Sequence, residues 1–372
     1  MIRYYYADSL SSYFQCIKEI QENVMKENGK SSFWGEKNRF SENLPLLWYR
    51  GLSHFSHSLI PSLFRTNARV DTDTGASSLH YAENIRMQHY IAKNYHYFSL
   101  KPSSRLEWLE VMQHHGMKTR VMDWSESSVH SLIFALGTFF EMPDQNENSR
   151  QFSAPCVWVM GPGEMNREIF RIISQDKNLC ESLLSELDFS DYERKRIDEN
   201  LNRMRQLFEG QENYGASDII HLNNIINLSA LTDEYTKNLP VIRQILLQDQ
   251  EIPMMYYFLI KIYSMGYILK DRVLPPLCVV HPYHSERIKA QRGVFSVFPH
   301  YREQERDQDL RDMQIVPDAM ENNETAQKHL YKIILMRPQR IAEEMMINGM
   351  DGSWLYPELP EMAKILENHK VK

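Results

Sequence analysis

Between Gln113 and Ser125 the sequence reads QHHGMKTRVMDWS, which sets Gln113, His114, His115, Thr119, Arg120 and Asp123 between two apolar segments. Polar groups at that density need partners once buried, so a ligand or an internal hydrogen-bond network must satisfy them. A histidine beside a carboxylate suits general acid–base work, because imidazole titrates near neutrality. The alternative for each histidine is a hydrogen-bonded place in the core. Upstream, Tyr49-Arg50-Gly51 ends a strand-like run. A guanidinium there, beside backbone that a ligand can approach closely, can grip a phosphate or carboxylate with two parallel hydrogen bonds. An internal ion pair to Glu83 or Asp123 is the competing assignment for Arg50. Arg50, Arg65 and Arg120, flanked by Tyr49, Phe64 and Trp124, also suit a phosphate-bearing small molecule or a single strand of nucleic acid, whose bases stack on aromatic rings.

Other chemistries find less support. His281 and His284 frame a Pro-Tyr pair, but no HExxH and no carboxylate cluster accompanies them or the adjacent His114 and His115, so no catalytic metal is expected. There is no GxxxxGK[ST] loop, no GxGxxG and no GxSxG elbow. Cys16, Cys156, Cys180 and Cys278 lie far apart with no CxxC pair, as expected of buried thiols in a reducing compartment.

The elements that must hold these residues alternate in character. Leu10, Phe14, Ile17, Ile20, Val24 and Met25 recur at helical spacing and predict a helix over 9–28. A strand is expected over 46–49, a helix over 79–97 and another from about Ser104. Val129, Leu132, Ile133, Leu136 and Phe140 again follow a helical period, and CVWVM at 156–160 reads as a buried central strand. From 163 to 270 Leu, Ile, Glu, Arg, Asn and Gln dominate without a β-branched run, and the block reads as an all-helical insertion with Asp191, Asp218 and Asp271 as cap or first-turn residues. Strand character returns at 277–280, 294–298 and 330–336; the charged stretch 301–327 between the last two reads as solvated surface. A helix over 338–348 and a final short helix close the chain.

The net charge of −7 provides no global positive field for nucleic acid and leaves only a local basic groove for such a partner. The opening MIRYYYADSL lacks the apolar core of a signal peptide. The longest apolar stretch, 131–140, is about half of what a membrane span requires. A cytoplasmic protein without membrane contact is expected.

Three segments together resemble the FRG domain family: Trp48-Tyr49-Arg50-Gly51 with Leu59-Ile60-Pro61-Ser62-Leu63-Phe64-Arg65; Trp108-Leu109 with Gln113 through Ser125; and Gln291-Arg292-Gly293-Val294-Phe295-Ser296 with Tyr356-Pro357-Glu358-Leu359. They follow the family's order and span about half of the chain, and the middle one is the most specific. Lys118 stands where the family usually has proline before Thr-Arg, which loosens a turn but removes no reactive side chain. The resemblance implies a fold more than an activity. A more distant analogy, to ADP-ribosyltransferases, would make Arg50 the phosphate grip and NAD the cofactor, with Thr119 to Ser125 leading into Leu132-Ile133-Phe134-Ala135 and Gln291 ahead of the strand at 294–298. Gln291 cannot supply that family's carboxylate, and Glu286 is off the expected position.

The expectation is therefore an α+β protein with a mixed sheet. It divides into an N-terminal helical segment (1–45), a first FRG part (46–162), a helical insertion (163–270) that packs as a separable layer and can dock a protein partner, and a second FRG part with C-terminal helices (271–372). Its site gathers His114, Asp123 and Gln291 as catalytic residues with Tyr49, Arg50, Gln113, Thr119 and Arg120 as cofactor-binding residues. It acts as a nucleotide- or NAD-directed enzyme, suited to bacterial defence or a toxin role, or as a phosphate-ligand or nucleic-acid binding module, or as a scaffold.

Overall fold

The computed structural model describes residues 1–27, 47–65, 79–97, 102, 105–141, 154–187, 189–208, 226–227, 258–259, 261–263, 267–269, 274–280, 286–302 and 319–355. Its elements in chain order are β1 (Arg3–Ala7), α1 (Leu10–Glu27), β2 (Trp48–Leu52), α2 (Leu79–Asn94), α3 (Arg105–His114), β3 (Val121–Ser125), α4 (Ser128–Glu141), β4 (Cys156–Met160), α5 (Pro162–Gln175), α6 (Lys177–Glu186) and α7 (Asp191–Phe208). After these come β5 (Ile226–Asn227), β6 (Tyr267–Leu269), β7 (Leu277–Val280), α8 (Glu286–Ala290), β8 (Gly293–Val297), β9 (His300–Arg302), β10 (Leu330–Leu335) and α9 (Pro338–Ile347). Eight strands form one mixed sheet in the order β1-β10-β4-β2-β3-β8-β7-β5, and β6 pairs with β9 apart from it. The outer pairs β1–β10 and β5–β7 are parallel, and the inner pairs are antiparallel. The α+β class with a mixed sheet is as expected.

Alternation along the strands covers both faces. Tyr49, Val157, Val159, Tyr331 and Ile333 meet α1, α4 and α9 in one core. Their neighbours Trp48, Trp158, Met160 and Trp124 point the other way, to Leu59, Leu63, Phe64 and Leu79. The α1 stripe is buried at Leu10, Ile17, Ile20, Val24 and Met25, but Phe14 is exposed while Tyr13 and Cys16 turn inward. All four cysteines are buried free thiols. Burial pushes Cys156 up to about 12 and Cys180 to about 11, which keeps both protonated at neutral pH.

Three expectations need correction. The segment 1–45 is not purely helical, because β1 adds a strand beside β10. The block 163–270 is not all helix: Ile226–Asn227 pair with β7 inside the main sheet, and Tyr267–Leu269 pair with β9. Strands this short exist through their partners and leave no periodic trace in the sequence. Nor do α5, α6 and α7 have a core of their own. Ile169, Phe170, Leu183 and Ile197 share one cluster with Leu106, Val121, Phe295 and Val297. Asn166 of α5 is fully buried, donating to the Cys278 carbonyl and accepting from the Cys278 N–H, both at 2.9 Å. Asp191 does lie in the first turn of α7, where Ser190 and Glu193 cap each other's backbone N–H groups. Asp218, Asp271, His281, His284 and the 356–359 segment lie outside the described residues. Among the described residues no helix is long and apolar enough to cross a membrane.

Candidate functional site

The sheet nearly parts at its centre. β2 makes five register pairs with β4, and β3 makes five with β8, yet β2 and β3 share a single pair, Tyr49 with Ser125. Beyond that pair the two strands splay, and polar backbone there needs other partners. Arg50 supplies one. Its Nη1 donates to the Asp123 carbonyl and lies 2.8 Å from the Asp123 carboxylate. Helix α4 comes down directly on this region, because Gly51 has no Cβ to hold it away: a Cβ there would sit 1.8 Å from the Ser131 carbonyl oxygen.

The splay opens into a cavity of about 430 Å³ lined by Tyr49, Arg50, Gly51, His57, Gln113, His114, Asp123, Ser131, Phe134, Arg287 and Gln291, among others. That volume is in the range of small-molecule sites. Two arginines against one aspartate give the charged lining a positive balance, inside a chain of net charge −7. Arg65 stands within electrostatic reach: burial lowers its pKa first, the like charge of Arg50 lowers it further, and Asp123 opposes both. The Asp123 side chain is 55% exposed, into the cavity mouth, whereas that of Arg50 is only 15% exposed. Desolvation by the surrounding protein atoms pushes the half-exposed Asp123 carboxyl up, but the Arg50 guanidinium, with hydrogen bonds from Arg50 and Gln113, outweighs it and holds the pKa below the ordinary value. The pair's contribution to stability is thus present above the aspartate pKa of the unfolded chain and fades as pH falls through the folded value.

Gln113 links this pair to the scaffold. Its Nε2 donates to Asp123 Oδ1 at 3.4 Å, while its Oε1 accepts from Thr119 Oγ1 at 2.8 Å and from Ser62 Oγ at 3.3 Å. His114 lines the cavity, and the adjacent His115 packs beside Tyr90 instead. Gln291 lines the far wall, its Nε2 donating to the Leu355 carbonyl and its own carbonyl accepting from Ser125 Oγ. Tyr49 contributes to the wall with a buried phenol whose pKa burial raises. Among the described residues no group of three His, Cys, Asp or Glu side chains could hold a metal ion.

Of the eight predicted site residues, Tyr49, Arg50, Gln113, His114, Asp123 and Gln291 line one cavity. Thr119 lies behind Gln113, fully buried. Arg120 is elsewhere. It is 0% exposed, its backbone N–H and Nε both bind the Glu83 carboxylate, and its Nη1 donates to the Phe298 carbonyl. It is a packing cation and not a ligand grip, and the ion pair with Glu83 weighed for Arg50 belongs to Arg120.

Sequence reading missed Arg287 and His57, and named Phe134 only as part of a helix and not as a site residue. Arg287 precedes Gln291 by one helical turn, with the Gln291 N–H bonded to the Arg287 carbonyl, so the spacing could have flagged it. Phe134 lies off the apolar stripe of α4 and is 38% exposed. A large aromatic outside the core-facing stripe was the available signal.

In comparison with known proteins, residues 46–142 match the family model of the FRG domain. No curated protein and no solved structure matches the chain. The matched stretch runs from β2 to α4 and carries Arg50, Gln113, His114, Asp123 and Phe134, whereas Arg287 and Gln291 reach the cavity from outside it. Residues 46–142, the stretch similar to the FRG domain, form one wall of the cavity and meet the other wall through the pairing of β3 with β8.

Proposed function

We propose that the cavity binds a nucleotide-sized phosphorylated ligand, its phosphate taken by Arg50 and Arg287 and its base set against Phe134. The observation that carries this reading is the meeting of two arginines with a half-exposed aromatic ring in one cavity, within a chain that is acidic as a whole. Guanidinium groups pair with phosphate oxygens through charge-assisted hydrogen bonds, and an aromatic face accepts any base. A net charge of −7 would repel a long polyanion, so a small ligand is favoured over a nucleic-acid strand.

Calorimetric titration with AMP, ATP, NAD and a short oligonucleotide tests this. At least one mononucleotide or dinucleotide should bind. Arg50→Ala should weaken it about 100-fold, because a hydrogen bond to a charged group contributes about 1.5–3 kcal/mol. Arg287→Ala should weaken it as well, without disturbing Asp123. Absence of binding by every nucleotide at millimolar concentration, or binding indifferent to both substitutions, would overturn the reading.

Turnover of the bound nucleotide is the second reading, favoured because Asp123 and His114 line the same cavity. With NAD, water would replace nicotinamide on the ribose carbon, giving ADP-ribose, nicotinamide and a proton, with His114 in the cavity to take that proton and Asp123 as an orienting carboxylate. Mass spectrometry of the reaction mixture decides between the two. Nicotinamide release lost in folded Arg50→Ala protein means catalysis, and unchanged NAD with intact binding means a binding module.

A further inference from the structure

Behind the cavity wall runs a chain of hydrogen bonds whose polarity is set at one end. Thr119 Oγ1 accepts the Val121 N–H at 3.3 Å, and Ser62 Oγ accepts the Thr119 N–H at 3.2 Å. Each hydroxyl has one proton, and an acceptor engaged by a backbone donor turns that proton elsewhere. The Thr119 proton finds Gln113 Oε1 at 2.8 Å, whereas the Ser62 proton is shared between that oxygen at 3.3 Å and the Thr119 carbonyl at 3.4 Å. The Gln113 carbonyl is thereby held toward the hydroxyls, and its NH₂ faces the Asp123 carboxylate. The reverse orientation would set a carbonyl against a carboxylate and leave the Thr119 proton without its acceptor, so the amide has one favourable setting. Asp123 in turn holds Arg50 by its carboxylate and carbonyl.

Resting on the ligand reading above, we propose that Thr119, assisted by Ser62, is a positioning residue: it fixes the polarity of the Gln113 amide, which keeps Asp123 aimed at Arg50 and so presets the guanidinium for an incoming phosphate. Neither hydroxyl need touch the ligand. Thr119 is fully buried, and neither it nor Ser62 lines the cavity. The benefit is preorganisation, since a long side chain already held in its binding rotamer loses less freedom when the ligand arrives. The charged and titratable groups that line the cavity with Asp123 are Tyr49 and Arg50 on β2, His57 after it, His114 at the end of α3 and Arg287 on α8, with Arg65 in electrostatic reach. Gln113 is the uncharged donor among them, so its polarity can be reversed without changing the net charge.

The test uses Thr119→Val, which keeps shape and removes the hydroxyl, and Thr119→Ser, which restores it. Two quantities are read: the Asp123 carboxyl titration by carbon-13 NMR in the ligand-free protein, and the affinity for a nucleotide that binds the native chain. Thr119→Val should move the Asp123 titration upward and weaken the nucleotide about 5-fold, and Thr119→Ser should return both toward native values. If Thr119→Val does not fold, Gln113→Leu at the cavity edge takes its place and should raise the Asp123 titration in the same way. A folded variant whose Asp123 titrates as in the native protein overturns the proposal and leaves Thr119 a purely structural residue. The titration needs no ligand, so a protein that binds no nucleotide but shows the Asp123 shift would sink the ligand reading and keep the hydrogen-bond relay.

Discussion

Replacing Arg120 by methionine is expected to destabilise the protein by about 3–5 kcal/mol, the usual cost of removing one partner from a buried ion pair. Glu83 and Arg120 have side chains 1% and 0% exposed. The carboxylate binds both the backbone N–H and the Nε of Arg120, at 2.9 and 3.1 Å. Methionine would leave Glu83 buried without that guanidinium. It would also free the Phe298 carbonyl, which Arg120 Nη1 now satisfies where the chain leaves β8. Replacing Glu83 by leucine in the same protein should return part of the loss, because it removes the buried carboxylate, while the backbone N–H of residue 120 and the nearby Arg105 lose the partner that Glu83 provides. Denaturant unfolding of the two single variants and the double variant measures this directly. A loss under about 1 kcal/mol for Arg120→Met would mean that the pair is weakly coupled to folding.

Gly51→Ala should be nearly as damaging, and more damaging to the cavity. The added Cβ would meet the Ser131 carbonyl oxygen at 1.8 Å, the Ala135 nitrogen at 2.7 Å and the Ser131 carbonyl carbon at 2.9 Å. All three are backbone atoms of α4, so no rotamer change relieves the clash and the helix must lift away from β2. A loss of about 3 kcal/mol is expected, at the upper end for overpacking. Ligand affinity should fall as well, since Ser131 and Phe134 move with the helix. Gly161→Ala is the control: its Cβ would approach the Glu164 carboxylate, a side-chain end that can swing aside, and should cost far less. Equal melting temperatures for the two variants would contradict this account of how α4 is seated.

The legible parts of the fold were those whose signal is local. CVWVM, LCVV and LYKIIL each bury most of their residues and read as strands from their apolar runs. β1 escaped notice because it is an edge strand whose Tyr4 and Tyr6 stay exposed, while its inward face consists only of Tyr5 and Ala7, too short a pattern to stand out. β3 was hidden by Asp123 at its middle, a residue that strand interiors usually avoid. The site was legible as a set of residue types in order, and Arg50, Gln113, His114, Asp123 and Gln291 do share one cavity. Arg120 was misassigned because order along the chain does not give direction. Strand alternation carried back from Asp123 puts Arg120 on the opposite face, toward Glu83 and Phe298. Arg287 was passed over although it lies one helical turn before Gln291, because a single arginine in a short helix draws attention only through such spacing.

The single pair that joins β2 to β3 makes the sheet two four-stranded leaves with a seam between them. Few backbone bonds cross that seam, so amide protons along it should exchange with solvent faster than those deep in either leaf. Arg50 belongs to one leaf, while Asp123 and the β8 strand that follows Arg287 belong to the other. A phosphate gripped by both arginines would therefore act as a clasp across the seam. Occupancy would then slow exchange on both of its sides together, turning a chemical event in the cavity into a mechanical one felt by the whole sheet.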